Sequence, residues 1–277
     1  METPQQLIDD LIRLAFAEDI GDGDHTTLCC IPATEMGRQK LLIKEAGGLA
    51  RRVINYFDPE LKMTVYIKDG AEVKPGDVAF IVEGKVQSLL QVERTMLNIM
   101  QRMSGIATMT RRYVKAIEGT GAHVLDTRKT TPGMRMLEKE AVKIGGGMNH
   151  RIGLFDMILL KDNHVDFAGG IENAIRRAHK YLQEKGKELK IEIEVRNMDE
   201  LREVLRVGGV DRIMFDNFTP EQTREAVALV NHRCETESSG GITFDTIRSY
   251  AECGVDFISV GALTHSVKGL DMSFKAC

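Results

Sequence analysis

The chain has 277 residues, enough for one large domain or two moderate ones. A formal net charge of -4 argues against a general nucleic-acid-binding surface, which needs a basic surplus, so any basic site must be a local pocket. Cys29, Cys30, Cys234, Cys253 and Cys277 are odd in number and lack CxxC spacing, which fits reduced cytoplasmic thiols rather than disulfides or zinc; no secretory leader is indicated, and no apolar stretch approaches the roughly 20 residues that cross a bilayer.

In chain order, residues 5–17 place Leu7, Leu11 and Leu14 at helical spacing, which predicts an amphipathic first helix. Residues 18–27 are rich in Gly and Asp and read as a turn cluster. Strand-like runs follow at 39–44, 62–67 and 77–82, separated by Asp69-Gly70 and Pro75-Gly76 turns. They lack long intervening helices, which predicts a mainly antiparallel sheet. Residues 90–118 are helical in pattern, with Leu90, Arg94, Leu97, Met100 and Gln101 along one side. This helix is expected to bridge two domains, 1–111 and 112–266. The tail 267–277 has alternating apolar residues and could return to the first domain as an added strand.

The second half holds six short apolar runs, at 123–126, 156–160, 191–195, 212–215, 233–237 and 256–260. Each stops at a charged or glycine-containing turn, and helix-like stretches fill the gaps. That βαβα pattern predicts a parallel sheet with crossover helices. In such folds reactive groups gather on the rim where strands end. A rim dense in Lys, Arg, His, Asp and Glu suits a polyanionic small molecule.

Successive strand residues point to opposite faces, so Glu192, Glu194 and Arg196 share one face and Ile191, Ile193 and Val195 the other. If the apolar face meets the outer helices, the carboxylates point inward, where they could receive ribose hydroxyls or a metal-bound phosphate. A charged edge strand facing solvent would read the same way. Asp216 ends its run in the same fashion; Asp216-Asn217 is open to two readings, an Mg²⁺ ligand or an Asx turn. Arg128 and Lys129 follow the first barrel-like run, and His150-Arg151 follows a triple glycine. Four converging cations would repel one another without an anion. Lys161 could be an anion-binding ammonium or a Schiff-base lysine, and the neighbouring cations favour the first. The turns at 238–243 and 259–264 resemble the phosphate site after the last strands of (β/α) barrels.

Seven segments together resemble the quinolinate phosphoribosyltransferase family. They are Val124-Leu-Asp-Thr-Arg-Lys-Thr-Thr-Pro-Gly133, Gly145-Gly-Gly-Met-Asn-His-Arg151, Leu159-Leu-Lys-Asp-Asn-His164, Glu192-Ile-Glu194, Phe215-Asp-Asn217, Glu237-Ser-Ser-Gly-Gly-Ile242 and Ser259-Val-Gly-Ala-Leu-Thr-His265. The likeness runs from residue 18 to residue 271, nearly the whole chain. It implies a mixed α/β N-terminal sandwich domain, joined by the tail, and an incomplete, open parallel α/β barrel of about six or seven strands. It also implies a head-to-tail homodimer.

The activity implied is transfer of the phosphoribosyl group of phosphoribosyl pyrophosphate (PRPP) to quinolinate with decarboxylation. The products would be nicotinate mononucleotide, pyrophosphate and carbon dioxide, on the route to NAD, with Mg²⁺ as cofactor. By the same resemblance Arg128, His150 and Arg151 clamp the quinolinate carboxylates, and Lys129 and Lys161 reach between the two substrates. Glu194 and Asp216 serve the ribose hydroxyls and Mg²⁺, directly or through water. Ser239, Gly240 and Gly261 line the phosphate site, with His265 nearby, and Glu93 and Arg94 come from the neighbouring subunit. A molybdenum-transport-associated paralogue with another substrate, or a non-catalytic sensor of phosphorylated metabolites, are the alternatives. The doubled carboxylate clamp argues against the first, and the joint presence of Lys161, Glu194 and Asp216 against the second.

Overall fold

The structure, a computed structural model, describes residues 2–43 and 50–277. In chain order its elements are α1 (Pro4–Ile20), α2 (His25–Cys30), β1 (Met36–Ile43), α3 (Ala50–Phe57), β2 (Lys62–Val65), β3 (Val78–Lys85), α4 (Val86–Ala116), β4 (His123–Leu125) and α5 (Arg135–Ile144). They continue with β5 (Ile158–Leu160), α6 (Asp162–Ala168), α7 (Ile171–Lys185), β6 (Ile191–Val195), α8 (Met198–Val207), β7 (Arg212–Asp216) and α9 (Pro220–Val230). The last are β8 (Glu235–Ser239), α10 (Ile247–Ala251), β9 (Phe257–Ser259), α11 (Ala262–His265) and β10 (Met272–Ala276). Two compact units form, one of Met1–Met109, Thr130–Gly145 and Ser266–Cys277, the other of Thr110–Lys129 and Gly146–His265. Among the described residues, no helix is long and apolar enough to cross a membrane.

The first unit holds a four-stranded antiparallel sheet in the order β10-β1-β3-β2. Its strands correspond to the three expected runs, except that β2 ends at Val65 and Lys44 lies outside the described residues. The alternating tail does return as an edge strand: Phe274 stands opposite Leu41, and Met272 and Phe274 are buried. Helix α1 starts on a capping box in which Gln6 N donates to Thr3 Oγ1 (3.2 Å) and Thr3 N to Gln6 Oε1 (2.7 Å), with Pro4 at the first turn. The expected turn cluster at 18–27 is shorter than its composition suggests. Helix α1 runs to Ile20, and Asp24 accepts from Thr27 N (3.0 Å) to cap α2. Neither α2 nor α3 was among the expected elements.

Helix α4 is 31 residues long. Arg102 on it pairs with Glu138 on α5 at 2.9 Å, and that carboxylate, fully buried, also accepts from Thr131 N (3.1 Å). Arg102 Nη1 further donates to Val267 O in the tail (3.3 Å). These bonds explain why Thr130–Gly145 counts with the first unit, whereas a cut at residue 111 assigns the whole of 112–266 to the barrel. Gly105 lets the tail pass close to α4: a Cβ there would stand 2.3 Å from Lys268 O.

The second unit is built on a six-stranded parallel sheet in the order β4-β9-β8-β7-β6-β5. Its edges are β4 and β5, and an isolated parallel bridge joins Leu125 to Met148. The sheet is therefore an open barrel wall. Helix caps match the sequence: Thr219 and Gln222 form a capping box ahead of Pro220, and Asn197 accepts from Asp199 N and Glu200 N (both 3.0 Å). One strand is displaced from its expected place. The run at 233–237 pairs as Glu235–Ser239, because Asn231 and His232 turn through left-handed backbone (φ 47° and 58°) and Arg233 stays at the helix end. Its guanidinium donates to the α9 carbonyls of Leu229 (2.9 Å) and Val230 (3.1 Å).

Replacing Gly105 with Ala puts a methyl group against a backbone carbonyl that cannot rotate away. The expected outcome is a loss of about 1–3 kcal/mol in denaturant unfolding, with an unchanged result counting against close passage of the tail.

Candidate active site

Strand parity assembles the site from the bottom of the open barrel upward. Arg212 on β7 stands between Glu192 on β6 and Glu235 on β8 in register. Its guanidinium meets Glu237 Oε2 and Glu235 Oε2, both at 3.0 Å, and lies 4.0 Å from the centroid of the Phe257 ring. Glu192 and Glu237 have no exposed surface. His150 Nε2 stands 3.0 Å from Glu192 Oε2 and 3.6 Å from Glu237 Oε2. The ligand atoms of these three residues lie within 4.8 Å of one another, a spacing a metal ion would accept. Arg212 supplies positive charge at hydrogen-bond distance from Glu237.

Above this layer opens a cavity of about 650 Å³. Every expected site residue lines it except Glu93 and Arg94, which lie on α4 in the first unit. Arg128, Arg151 and Lys161 thus face one space, as the sequence requires. Lys161 Nζ pairs with Glu194 Oε2 at 2.8 Å, the lysine half-exposed and the glutamate buried. Asp216 Oδ2 accepts from Asn217 Nδ2 (2.7 Å). Asn217 holds this pose through left-handed backbone (φ 56°) and a bond from its N–H to Ser239 O (2.9 Å). Gly240 (φ 92°) makes room for it, since a Cβ at 240 would lie 2.3 Å from Asn217 Oδ1. The Asp216–Asn217 bond joins two side chains, unlike the side-chain-to-backbone bond of an Asx turn, and Asp216 lines the cavity.

Gly261 serves a similar purpose: its Cβ would stand 3.1 Å from both the Lys129 side chain and the His265 ring. Thr264 Oγ1 donates to Lys129 O (2.8 Å) and ties α11 to the loop after β4. His150 N donates to the buried Asp126 Oδ1 (2.9 Å), and Arg151 Nη1 to Met157 O (3.2 Å).

Two sequence expectations change. Glu192 is fully buried and does not line the cavity, so of that pair only Glu194 does. Arg196 does not join them. Strand β6 ends at Val195, and Arg196 turns outward to Asp166 (3.0 Å) and Glu200 (2.7 Å). Arg212 and Glu237 went unrecognised as a buried pair, although both alternate in register with the inward face of β6.

Electrostatics follow from this geometry. Burial, and then repulsion from Arg128, holds Arg151 below the usual arginine range. Burial raises Glu192 to about 6 against opposition from Arg212. Burial and the adjacent Glu192 raise Glu237 to about 7 from an ordinary value of 4.5. The folded chain thus binds more protons at Glu237 than the unfolded chain between those two values. Its contribution to stability is greatest below the lower one and falls as pH rises through the upper one. Stability is expected to drop between about pH 5 and about pH 8, and less steeply in Glu237→Gln. Parallel pH–stability curves for the two proteins would remove Glu237 as the source.

Comparison with known proteins gives the family. Residues 24–104 match the family model "Quinolinate phosphoribosyl transferase, N-terminal domain" and residues 106–275 its C-terminal domain. The chain is 43% identical over 285 residues to a nicotinate-nucleotide pyrophosphorylase [carboxylating], chloroplastic, of Arabidopsis thaliana, covering 96% of this chain and 81% of the relative. It is 41% identical over 268 residues to a probable nicotinate-nucleotide pyrophosphorylase [carboxylating] of Bacillus subtilis (strain 168), covering 95% and 91%. The crystal structure of NadC from Streptococcus pyogenes superposes with a TM-score of 0.91 at 40% identity, covering 99% of this chain and 97% of the other. With both halves of the fold matched and the strand-end residues gathered around one cavity, the chain belongs to the quinolinate phosphoribosyl transferase family.

Proposed function

We propose that this chain is a nicotinate-nucleotide pyrophosphorylase (carboxylating), the phosphoribosyltransferase that joins quinolinate to the ribose of PRPP in NAD biosynthesis. The observation that carries this reading is the meeting of Arg128, Lys129, Arg151 and Lys161 with Glu194 and Asp216 around one cavity. Cations that repel one another, as Arg128 and Arg151 do, favour an anionic ligand between them. A planar dicarboxylate supplies that charge and matches the forked donors of arginine.

In the reaction, the quinolinate ring nitrogen attacks the anomeric carbon as the bond to pyrophosphate breaks, and pyrophosphate leaves with the electron pair. The ring, now cationic, accepts the electrons of the adjacent carbon–carboxylate bond when carbon dioxide departs, and a proton from solvent takes the vacated position. Arg128 and Arg151 orient the acid so that its nitrogen faces the sugar. Lys129 and Lys161 stand where negative charge develops on the departing group. Glu194 and Asp216 accept hydrogen bonds from the ribose hydroxyls. Their oxygen donors also fit Mg²⁺, which commonly takes one or two carboxylates with substrate phosphates; when bound, the ion would neutralise charge on the pyrophosphate. Ser239, Gly240 and Gly261 provide the phosphate end of the cavity, with His265 beside Gly261.

Glu93 and Arg94 belong to the other unit, and in this reading a second copy of the chain brings them to the cavity in a homodimer.

The purified protein given quinolinate, PRPP and Mg²⁺ is expected to yield nicotinate mononucleotide and carbon dioxide; turnover of nicotinate with quinolinate untouched would overturn the substrate. Lys161→Ala is expected to lower kcat by about 100-fold or more with little change in thermal stability. Mixing Arg94→Ala with Lys161→Ala subunits is expected to regain activity, and no rescue despite proven subunit exchange counts against a shared site.

A further inference from the structure

Lys129 lies beyond β4, which ends at Leu125, in a loop without regular structure, yet it lines the cavity. Fixing a loop residue with a long side chain costs backbone and rotamer freedom, so contacts from outside must supply the order. Three such contacts converge on this lysine. Thr127 Oγ1 accepts from Lys129 N (3.1 Å), a turn that shapes the backbone on its N-terminal side. On the other side Thr264 Oγ1 donates to Lys129 O (2.8 Å). The aliphatic stem passes so close to Gly261 that a Cβ there would stand 3.1 Å from Lys129 Cδ.

Thr264 has no exposed surface and does not line the cavity, so its hydroxyl serves the protein rather than a ligand. A threonine on a helix commonly returns its hydroxyl to a carbonyl of the preceding turn. Here that local acceptor, Gly261 O, is 3.3 Å away, whereas Lys129 O, 135 residues earlier in the chain, is 2.8 Å away. The shorter bond leaves the helix for the loop. We infer that Thr264 is a positioning residue for Lys129: its buried hydroxyl holds the lysine main chain against the turn between β9 and α11, and so places the ammonium at the reacting substrates. Gly261 belongs to that turn, so the phosphate end of the cavity and Lys129 share one anchor. This deepens the proposed function and rests on Lys129 reaching the substrates.

A double-mutant cycle with Lys129→Ala, read by turnover of quinolinate and PRPP on the full-length protein, tests it. Thr264→Val keeps the shape of the side chain and removes the hydroxyl; it is expected to lower kcat roughly 5- to 10-fold. In the Lys129→Ala background the same substitution is expected to change kcat by less than about 2-fold, because the ammonium it would misplace is gone. Thr264→Ser, which keeps the donor, should retain most of the wild-type rate. An unchanged rate in Thr264→Val, an equal loss with and without the Lys129 ammonium, or a Ser variant as slow as the Val variant would each reduce Thr264 to a packing residue. If the Val variant does not fold, Thr264→Ala takes its place in the cycle. A wild type that turns over no quinolinate overturns the functional reading and this inference together, whereas independent losses in an active enzyme overturn the inference alone.

Discussion

Glu192 and Glu237 face the interior of the open barrel with no exposed surface, where an uncompensated charge costs several kcal/mol. Arg212 lies 3.0 Å from Glu237 and the His150 ring 3.0 Å from Glu192, so the floor of the cavity is polar rather than an apolar plug. This constraint orders the rest of the second unit. Strands β6, β7 and β8 must keep their register, because a slip by one residue would send Glu192, Arg212 and Glu237 outward among the helices. The same register then delivers Glu194, Asp216 and Ser239 to the rim.

The rim combines rigid strand ends with turns that only small residues can make. Lys161, one residue past β5, pairs directly with Glu194 on the adjacent β6. Asp216 is oriented by Asn217, whose backbone pose depends on Gly240. Gly261 leaves space for the Lys129 and His265 side chains. Such placement by strands and short turns keeps donors and charges in position before a substrate arrives, and pre-positioned groups contribute most to catalysis in a site shielded from water.

The first unit obeys a different logic. Its sheet is antiparallel, its tail strand closes the edge beside β1, and its largely apolar core also holds the charged Glu138 and Lys139. The pairing of Arg102 with the buried Glu138 keeps α5 with this unit even though α5 follows the first strand of the barrel in sequence. Chain order and spatial grouping part company there because one buried charge must meet its partner.

Much of this was legible in the residues alone. Period-2 and period-3.6 patterns depend on neighbours in sequence, so the six parallel strands, the first helix and the long fourth helix could be read directly, and the family motifs marked the rim residues. The residues also showed that Glu192 and Glu194 share a face. Which of the two touches the cavity and which is buried beneath it depends on strand register and barrel depth, and these exist only after distant segments pair. The displaced β8 strand, the outward turn of Arg196, the capture of α5 by the first unit and the link from Arg212 through Glu237 to His150 have the same origin. Local pattern chose the elements; the pairing of buried charges from separate strands decided where each side chain ended.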